Sequence, residues 1–374
     1  MASLFRTAPV LAACAALATL SAAALEPAAS VVGEPAAADD RDDTPPAALI
    51  GYTELRTDLL GGRAANIKTE RAVVVKADGT GRRVLAEELT REAGYWTQFV
   101  GWSPDGKAAR LYRGWVNEEN AKWEEEHKTF RSIPDNGRSG GYLVDLASGK
   151  ATKQTPVEEK KKSEVIKNLV HGRSISPDGK RCAFEDPGYR LYLADADGSN
   201  AKQVETGLRF HLIPTWSPDG AWVLFVAGEH YDCHPHVIKA DGTGLKKLAS
   251  RNGYRGVIDF LDVYDFHDGS SDLPVWAADS KSVFYTAKVG KNVELFRVTL
   301  EGKSEQLTET PAGSMHYHPA ASPDGKWLVY GSKRDGVRQL YVMRLCDKKE
   351  WRITNLKKGH AAMWAHWQPA ANKP

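Results

Sequence analysis

Cysteine is scarce in this sequence. The 374 residues include four cysteines, and only Cys182, Cys233 and Cys346 lie beyond the first 24 residues. Three cysteines in a large domain form at most one disulfide, which excludes a disulfide-built scaffold and requires a hydrophobic core. An excess of charge of either sign is also absent, because 50 basic residues stand against 48 acidic ones. A balance this close to neutral offers no electrostatic footprint for nucleic acid, so we do not expect nucleic-acid binding.

Long apolar runs are confined to the N terminus. Arg6 is the only charged residue among the first 24, and it precedes the run APVLAACAALATLSAAAL. This run is too short and too rich in alanine to span a membrane stably. A positive start, an apolar run and small residues up to Ala24 are typical of a secretory signal peptide. We therefore predict a signal peptide over residues 1–24 and a periplasmic or secreted protein without a membrane span.

Two further features of the N-terminal region bear on anchoring and order. The segment LAAC, which ends at Cys14, resembles a lipoprotein box. The apolar run continues well past Cys14, so ordinary cleavage near Ala24 is favoured over lipid anchoring. Residues 25–47 are rich in Ala, Pro and Asp and show no periodicity. This composition predicts a disordered spacer between the signal peptide and the domain.

An internal repeat organises the rest of the chain. The motif Ser-Pro-Asp-Gly occurs four times, and a degraded and a truncated copy follow the same pattern. The aligned first positions are Ser103, Ser176, Ser217, Ala277, Ser322 and Gln368. Their spacings of 73, 41, 60, 45 and 46 residues indicate a unit of a little over 40 residues, with insertions in two units.

Each copy of the motif begins a series of short strand-like runs. The runs end in Asp-Gly, Ser-Gly or Glu-Gly, the turn residues of hairpins that need a positive φ. Four short antiparallel strands in a repeat of this length form a propeller blade. Three such runs precede the first copy and one run follows the last, so the C-terminal strand is expected to complete the N-terminal blade. We predict an all-β, six-bladed β-propeller over residues 48–369.

One helix is expected within the insertion of the first long unit. The segment NEENAKWEEEHKTF, residues 117–130, has a capping Asn117, and Trp123 and Phe130 lie on one face. It is either a lid or partner-binding face at the channel, or a helix packed beside the propeller.

The repeat resembles that of a known family. WSPDGK at 102–107, together with YGSKRDGVRQLYVMRL at 330–345, is similar to the TolB-type (WD-like) β-propeller repeat. The resemblance covers residues 48–369 and implies the fold. It implies little about chemistry, because the same repeat occurs in periplasmic binding scaffolds, peptidase gating domains and lyases.

Histidines stand shortly before two copies of the motif. His211, His316 and His318 lie six or four residues before the aligned Ser position, on the strand expected to border the central channel. His316 and His318 are one residue apart, which on a regular strand places both on one face. Imidazole nitrogen is a common ligand of divalent transition metals, so the pattern predicts a metal site at the channel mouth. A wet, polar channel lining without a metal is the alternative.

Other polar residues occupy the equivalent place in further blades. Gln98, His171 and Asp272 stand five residues before the aligned position and are predicted to line the channel. Eleven tryptophans are present. Four of them directly precede the aligned position, which predicts a role in blade packing: Trp102, Trp216, Trp276 and Trp367. Three others fall outside this pattern and are candidates for a binding surface: Trp96, Trp115 and Trp364.

A second, local resemblance concerns HYHPAASPDG at 316–325. This stretch is similar to the metal-binding segment of oligogalacturonate lyases, propeller enzymes with a Mn²⁺ site built from histidines and a glutamine. The resemblance implies that His316 and His318 bind the metal and that a divalent ion such as Mn²⁺ is the cofactor. His267 is the nearest candidate for a further histidine ligand. Gly313 stands where the family has its glutamine, a departure from the pattern.

A serine-hydrolase motif is rejected on its context. GRSGG at 137–141 fits the nucleophile-elbow pattern around Ser139. That elbow needs a strand before it and a helix after it, whereas a loop precedes this segment and a strand follows.

Two functions from different classes follow from these observations. The first is an exported, monomeric binding or scaffold propeller that recognises a protein, peptide or glycan at its channel mouth. The alternative is a metal-dependent lyase acting on an acidic polysaccharide, whose base and carboxylate-binding residues the sequence does not single out. Whether the chain is an enzyme stays open at this point.

Overall fold

The computed structural model describes residues 44–154, 172–229, 232–267 and 269–370. Within these ranges the chain forms six four-stranded sheets, the blades of a β-propeller. The six-bladed all-β fold predicted from the repeat is confirmed. The predicted signal peptide, most of the predicted spacer and His171 lie outside the described residues.

Blade 1 combines the two ends of the described chain. It contains β1 (Leu49–Arg56), β2 (Arg71–Lys76), β3 (Arg83–Val84) and β26 (His360–Trp367). β26 is the innermost strand and pairs antiparallel with β1, and just beyond this pairing Gln368 donates its backbone N–H to the carbonyl of Leu49 at 2.9 Å. The predicted closure of the ring by the C-terminal strand is therefore confirmed.

The other five blades follow in chain order. Blade 2 contains β4 (Tyr95–Trp102), β5 (Ala108–Trp115), β6 (Gly140–Asp145) and β7 (Ala151–Lys153). Blade 3 contains β8 (Ser174–Ile175), β9 (Arg181–Glu185), β10 (Leu191–Asp195) and β11 (Lys202–Gln203). Blade 4 contains β12 (Phe210–Trp216), β13 (Trp222–Glu229), β14 (Asp232–Lys239) and β15 (Lys246–Lys247).

The C-terminal half adds a small sheet and two blades. The insertion before blade 5 forms a two-stranded sheet of β16 (Val257–Ile258) and β17 (Ser270–Ser271). Blade 5 contains β18 (Val275–Trp276), β19 (Ser282–Val289), β20 (Asn292–Thr299) and β21 (Ser304–Gln306). Blade 6 contains β22 (His316–Ala321), β23 (Trp327–Ser332), β24 (Gln339–Arg344) and β25 (Glu350–Arg352).

Helices occur in the connections within and between the first two blades. α1 (Gly62–Ile67) joins β1 to β2, a 3₁₀ helix covers Glu87–Thr90, and α2 (Glu118–His127) joins β5 to β6. α2 begins where Asn117 accepts a hydrogen bond from the N–H of Asn120 at 2.8 Å, and it ends at Lys128, whose φ is +49°. None of the helices in the described part of the chain has the length and apolar character needed to cross a membrane.

The Ser-Pro-Asp-Gly motif forms the turn between the first two strands of a blade. In blade 2 the Ser103 hydroxyl donates to Oδ1 of Asp105 at 2.6 Å and accepts from the N–H of Ala108 at 2.9 Å. Gly106 has a φ of +68°, a conformation that glycine adopts without steric cost. The same Ser-to-Asp hydrogen bond recurs in three other blades, at Ser176, Ser217 and Ser322.

Four tryptophans tie neighbouring blades together. Each donates its indole N–H, over 2.9–3.1 Å, to a backbone carbonyl on the innermost strand of the preceding blade. The pairs are Trp102 with His366, Trp216 with Ser174, Trp276 with Thr215, and Trp367 with Ala320. In each pair the tryptophan stands one residue before the aligned Ser position and the carbonyl two residues before it. The blade-packing role predicted for these tryptophans is confirmed.

Apolar side chains fill the spaces between neighbouring blades. Ile50 and Val73 of blade 1 pack with Val329 and Val342 of blade 6 in one such cluster. Comparable clusters join blades 1 and 2, 3 and 4, 4 and 5, and 5 and 6. Burial of this apolar surface stabilises each blade against its neighbour.

Candidate functional site

The inner strand β22 separates the two histidines that the sequence places side by side. A β-bulge interrupts the pairing of β22 with β23 between Tyr317 and Ala320, and His318 has a φ of +47°. A bulge breaks the regular alternation of side chains along a strand. His316 and His318 therefore lie in different surroundings.

His316 is completely buried between blades 5 and 6. Its Nε2 lies 3.2 Å from Oε2 of Glu294 and 3.3 Å from Oγ1 of Thr310. Its ring meets that of Tyr330 edge-on, with the centroids 5.4 Å apart. Burial raises the pKa of Glu294, but hydrogen bonds, first among them the one from His316, outweigh burial and lower that pKa to about 2. His316 thus supports a buried carboxylate.

His318 is held by the insertion that precedes blade 5. Its Nε2 donates to the carbonyl of Ser271 at 3.0 Å, and its backbone N–H donates to Oδ1 of Asp272 at 2.9 Å. Its ring centroid lies 5.8 Å from that of Trp364. Burial lowers the pKa of His318, which favours the neutral imidazole.

The other two predicted metal ligands lie elsewhere. His211 joins blades 3 and 4, with Nδ1 2.8 Å from the carbonyl of Tyr189 and Nε2 2.5 Å from the Thr206 hydroxyl. His267 lies in the insertion before blade 5, with Nδ1 2.6 Å from Oδ1 of Asp265. Among the described residues, no group of three or more His, Cys, Asp or Glu side chains is arranged to hold a metal ion. The structure thus does not bring the four histidines together, and metal binding by them stays a prediction.

The predicted channel-lining residues that the structure describes differ from each other. Asp272 is 1% exposed. Its carboxylate accepts hydrogen bonds from Tyr254, Thr286 and the backbone of His318, so it anchors neighbouring segments. Gln98 is also buried, but its side chain lines a cavity beside blade 2.

This cavity has a volume of about 470 Å³. Its wall is formed by β4 and β5. The cavity is also bordered by α1, by α2 and residues 130–139, by the insertion around His267, and by β26. We call it the tryptophan cavity, after Trp96, Trp115 and Trp364, which all line it. In the sequence, these three tryptophans were candidates for a binding surface because they lie outside the repeat pattern.

Two of the aromatic side chains in the lining, Trp96 and Tyr112, are in ring contact. The rings of Trp96 and Tyr112 are 5.7 Å apart and inclined by 51°. The indole of Trp96 covers Gly114 so closely that a Cβ there would lie 2.0 Å from the ring. Its Nε1 is buried and has no hydrogen-bond partner among the described residues. Trp364 donates its indole N–H to the Ser270 hydroxyl at 3.2 Å.

A buried carboxyl group faces the same cavity. Glu70 is 3% exposed, and no described residue donates a hydrogen bond to its carboxyl oxygens. Burial raises the pKa of Glu70 to about 8, and the nearby charge of Arg63 offsets only part of this rise. The guanidinium of Arg63 also faces Asp265, with Nη1 3.1 Å from Oδ2.

Asp265 also fixes the orientation of His267. Because the carboxylate accepts from Nδ1–H, the imidazole keeps its proton on Nδ1 and presents Nε2 as an acceptor. His267 lines the cavity, so this nitrogen can accept a hydrogen bond from a bound ligand. Ser139 lines it too, but its hydroxyl donates to Asp135 at 2.8 Å.

The helices that cover the cavity are held to each other. Lys68, just after α1, forms a 2.6 Å ion pair with Glu118 at the start of α2. Glu125 of α2 packs against Gly62, where an added Cβ would lie 2.1 Å from its Oε1. The segment predicted at 117–130 therefore contributes to the site: Asn117, Asn120 and Glu124 line the cavity.

Sequence reasoning missed three charged residues of this site. Glu70, Arg63 and Asp265 fall between the repeat strands, where a charged residue is ordinarily solvated. The spacing of Asp265 and His267, with one residue between them, is the only local signal that hints at their contact.

Comparison with known proteins places the fold in a family. The model of the TolB beta propeller domain matches residues 182–373, just over half of the chain. The chain belongs to the TolB β-propeller family. The match begins in blade 3, so blades 1 and 2, which carry most of the tryptophan cavity, lie largely outside it.

Relatives of this TolB-type propeller are distant. An uncharacterized protein of Agrobacterium fabrum is 24% identical over 211 residues, which are 55% of this chain and 64% of that protein. The Tol-Pal system protein TolB of Thioalkalivibrio sulfidiphilus is 34% identical over 65 residues, 17% of this chain and 15% of that protein. The chain therefore covers less than two thirds of either relative. The crystal structure of TolB from Acinetobacter baumannii is 16% identical, with a TM-score of 0.52 over 86% of this chain and 67% of that one. At this identity the likeness shows the fold alone.

Proposed function

We propose that this chain is an exported binding propeller that takes part of a protein, peptide or glycan ligand into the tryptophan cavity. Export rests on the signal-peptide pattern of residues 1–24, and fractionation of cells that express the chain tests that premise.

The observation that carries the proposal is the composition of the cavity. Trp96, Trp115 and Trp364 line one concave site of about 470 Å³, within the ~300–1,000 Å³ typical of ligand sites. A few polar groups lie among the aromatic rings, as in other binding pockets. The buried N–H of Trp96 lacks an acceptor among the described residues, at a cost of about 1–3 kcal/mol.

The lyase alternative has weaker support. It rests on the local resemblance around His316 and His318, whose Nε2 atoms are both engaged by protein groups. The cavity lies against a different blade and contains one histidine, His267. An absorbance assay for unsaturated products from polygalacturonate fragments, with and without Mn²⁺, tests this alternative.

The binding function is tested with an array of peptides and glycans probed with the purified chain. Ligands of the cavity should lose at least tenfold in affinity, about 1.4 kcal/mol, when Trp96 and Trp115 are both replaced by leucine. Trp351→Leu, on the outer strand of blade 6, is the matched control and should bind like the unsubstituted chain. Thermal melting of each variant verifies that it is folded. An array without ligands, or ligands that bind the double variant equally well, would contradict the proposal.

A further inference from the structure

We propose that the tryptophan cavity selects an ammonium group, as carried by the lysine side chain of a peptide. The inference rests on the proposed binding function and adds the chemical class of the ligand. Aromatic rings and a carboxyl group without a partner carry it together.

The rings suit a cation better than a flat sugar. Five aromatic side chains line the cavity: Trp96, Tyr112, Trp115, Phe130 and Trp364. Trp96 and Tyr112 are inclined to each other by 51°, so these two rings do not form one flat platform of the kind that stacks on a sugar. Trp115 already receives a cation on one side, because the guanidinium of Arg138 lies 4.1 Å from its ring centroid. A cation over a desolvated aromatic ring gains a favourable electrostatic interaction.

Acidic groups outnumber basic ones in the lining. Glu70, Glu124 and Asp135 line the cavity together with a single guanidinium, that of Arg63, which is also bound to Asp265. Glu124 accepts hydrogen bonds from Asn120 and from the backbone of Arg131, and Asp135 accepts from Ser139. These two carboxylates already have partners.

Glu70 is the acid without such partners. It is 3% exposed, and its carboxyl oxygens receive no hydrogen bond from any described residue. A buried carboxyl group in this state either keeps its proton or binds a cation. An ammonium group in the cavity supplies that cation, which a neutral sugar or a uronic acid cannot do.

The same arrangement makes binding depend on pH. Burial raises the pKa of Glu70 to about 8. The charged and titratable groups that face the site or its lining rings are these: Arg63 of α1, Tyr112 of β5, Glu124 of α2, Asp135 and Arg138 of the following loop, and Asp265 and His267 of the insertion. Below pH 8 a ligand ammonium, with a pKa of about 10.4, has to displace the proton of Glu70. Its affinity therefore rises with pH and levels off above 8.

Calorimetric titration with matched probes tests this inference. Nα-acetyl-lysine amide should bind at least tenfold more tightly at pH 8.5 than Nα-acetyl-norleucine amide, which has a similar chain but no ammonium. The affinity for the lysine probe should fall progressively as the pH is lowered from 8 to 6. Glu70→Gln should lower its affinity about tenfold or more and remove the pH dependence. Glu305→Gln, at an exposed ion pair of blade 5, is the control and should change neither.

Each other outcome overturns the inference. Equal binding of the two amides would leave the cavity a binding site without ammonium selectivity. Tighter binding of galactose or galacturonate would make it a sugar site. Absence of binding by all probes would also refute the inference, while the array separately decides the proposed function. Binding of the lysine probe without pH dependence would refute the role of Glu70.

Discussion

At the scale of single residues, His316 shows how a histidine predicted to bind a metal can instead stabilise a buried carboxylate. Its side chain is fully buried, and Nε2 faces Glu294 and Thr310. Glu294 accepts further hydrogen bonds from Thr308 and Asn292. This network satisfies a carboxylate that is 1% exposed, so His316 belongs to the packing of blades 5 and 6.

Replacing His316 by alanine should therefore destabilise the chain without any metal. We expect a loss of about 2–3 kcal/mol in the free energy of unfolding at pH 7, from the cavity created and from the hydrogen bond lost. The low pKa of Glu294, about 2 against 4.5 ordinarily, contributes stability above pH 4.5 that disappears as the pH falls toward 2. The difference in unfolding free energy between the variant and the unsubstituted chain should therefore become smaller as the pH falls from 4.5 toward 2, which urea denaturation measures.

Added metal distinguishes this role from the metal-site hypothesis. If Mn²⁺ or Zn²⁺ raises the melting temperature of the unsubstituted chain but not of His316→Ala, His316 is a metal ligand after all. An equal response of both proteins, or none, supports the packing role.

At the scale of elements, the inner strands explain why His316 and His318 do not share one face, as the regular alternation of side chains along a strand would predict. His318, Ile213 and Trp364 have φ values of +47°, +48° and +52°, and each stands four residues before the aligned position of its blade. Gly172 holds the same place in blade 3, with a φ of +80°. The left-handed residue recurs with the repeat, but Ile, His and Trp are not residues that signal it. The bulge could therefore not be read from the sequence.

The pairing of β4 with β5 offers a direct test of the cavity wall. Trp96 lies opposite Gly114, and a Cβ at residue 114 would lie 2.0 Å from the indole. Gly114→Ala should displace Trp96, lower the free energy of unfolding by about 1–3 kcal/mol and weaken cavity ligands. Chemical denaturation and array affinities measure the two effects.

Gly331→Ala is the matched control for that variant. Gly331 lies under Tyr317, with the same 2.0 Å approach, in blade 6. Gly331→Ala should lower the free energy of unfolding by a similar amount and leave ligand binding unchanged. If Gly114→Ala binds like the unsubstituted chain, Trp96 does not shape the site.

At the scale of the whole molecule, the repeat predicted the ring of blades, but not the acid that faces the tryptophan cavity. Regular features of the motif, such as the tryptophan before Ser217, recur because neighbouring blades pack against each other in the same way. Glu70 has no such regularity, because its burial depends on α1, α2 and the insertion meeting over blade 2. Those contacts join distant parts of the chain, so no local pattern encodes them. Trp96, Trp115 and Trp364 were identifiable because they break the repeat.

The tryptophan ties between blades give the last prediction. Trp102 binds the carbonyl of His366 in blade 1, and Trp276 binds that of Thr215 in blade 4. Phenylalanine keeps one aromatic ring but removes the indole N–H donor, so each Trp→Phe change should cost about 1 kcal/mol of unfolding free energy from the lost hydrogen bond. The two ties belong to different blade interfaces, so the costs should add within about 0.5 kcal/mol in the double variant. Trp351→Phe, on an outer strand, is the control. Urea denaturation that shows no greater loss for Trp102→Phe or Trp276→Phe than for this control would mean that apolar packing alone holds the ring.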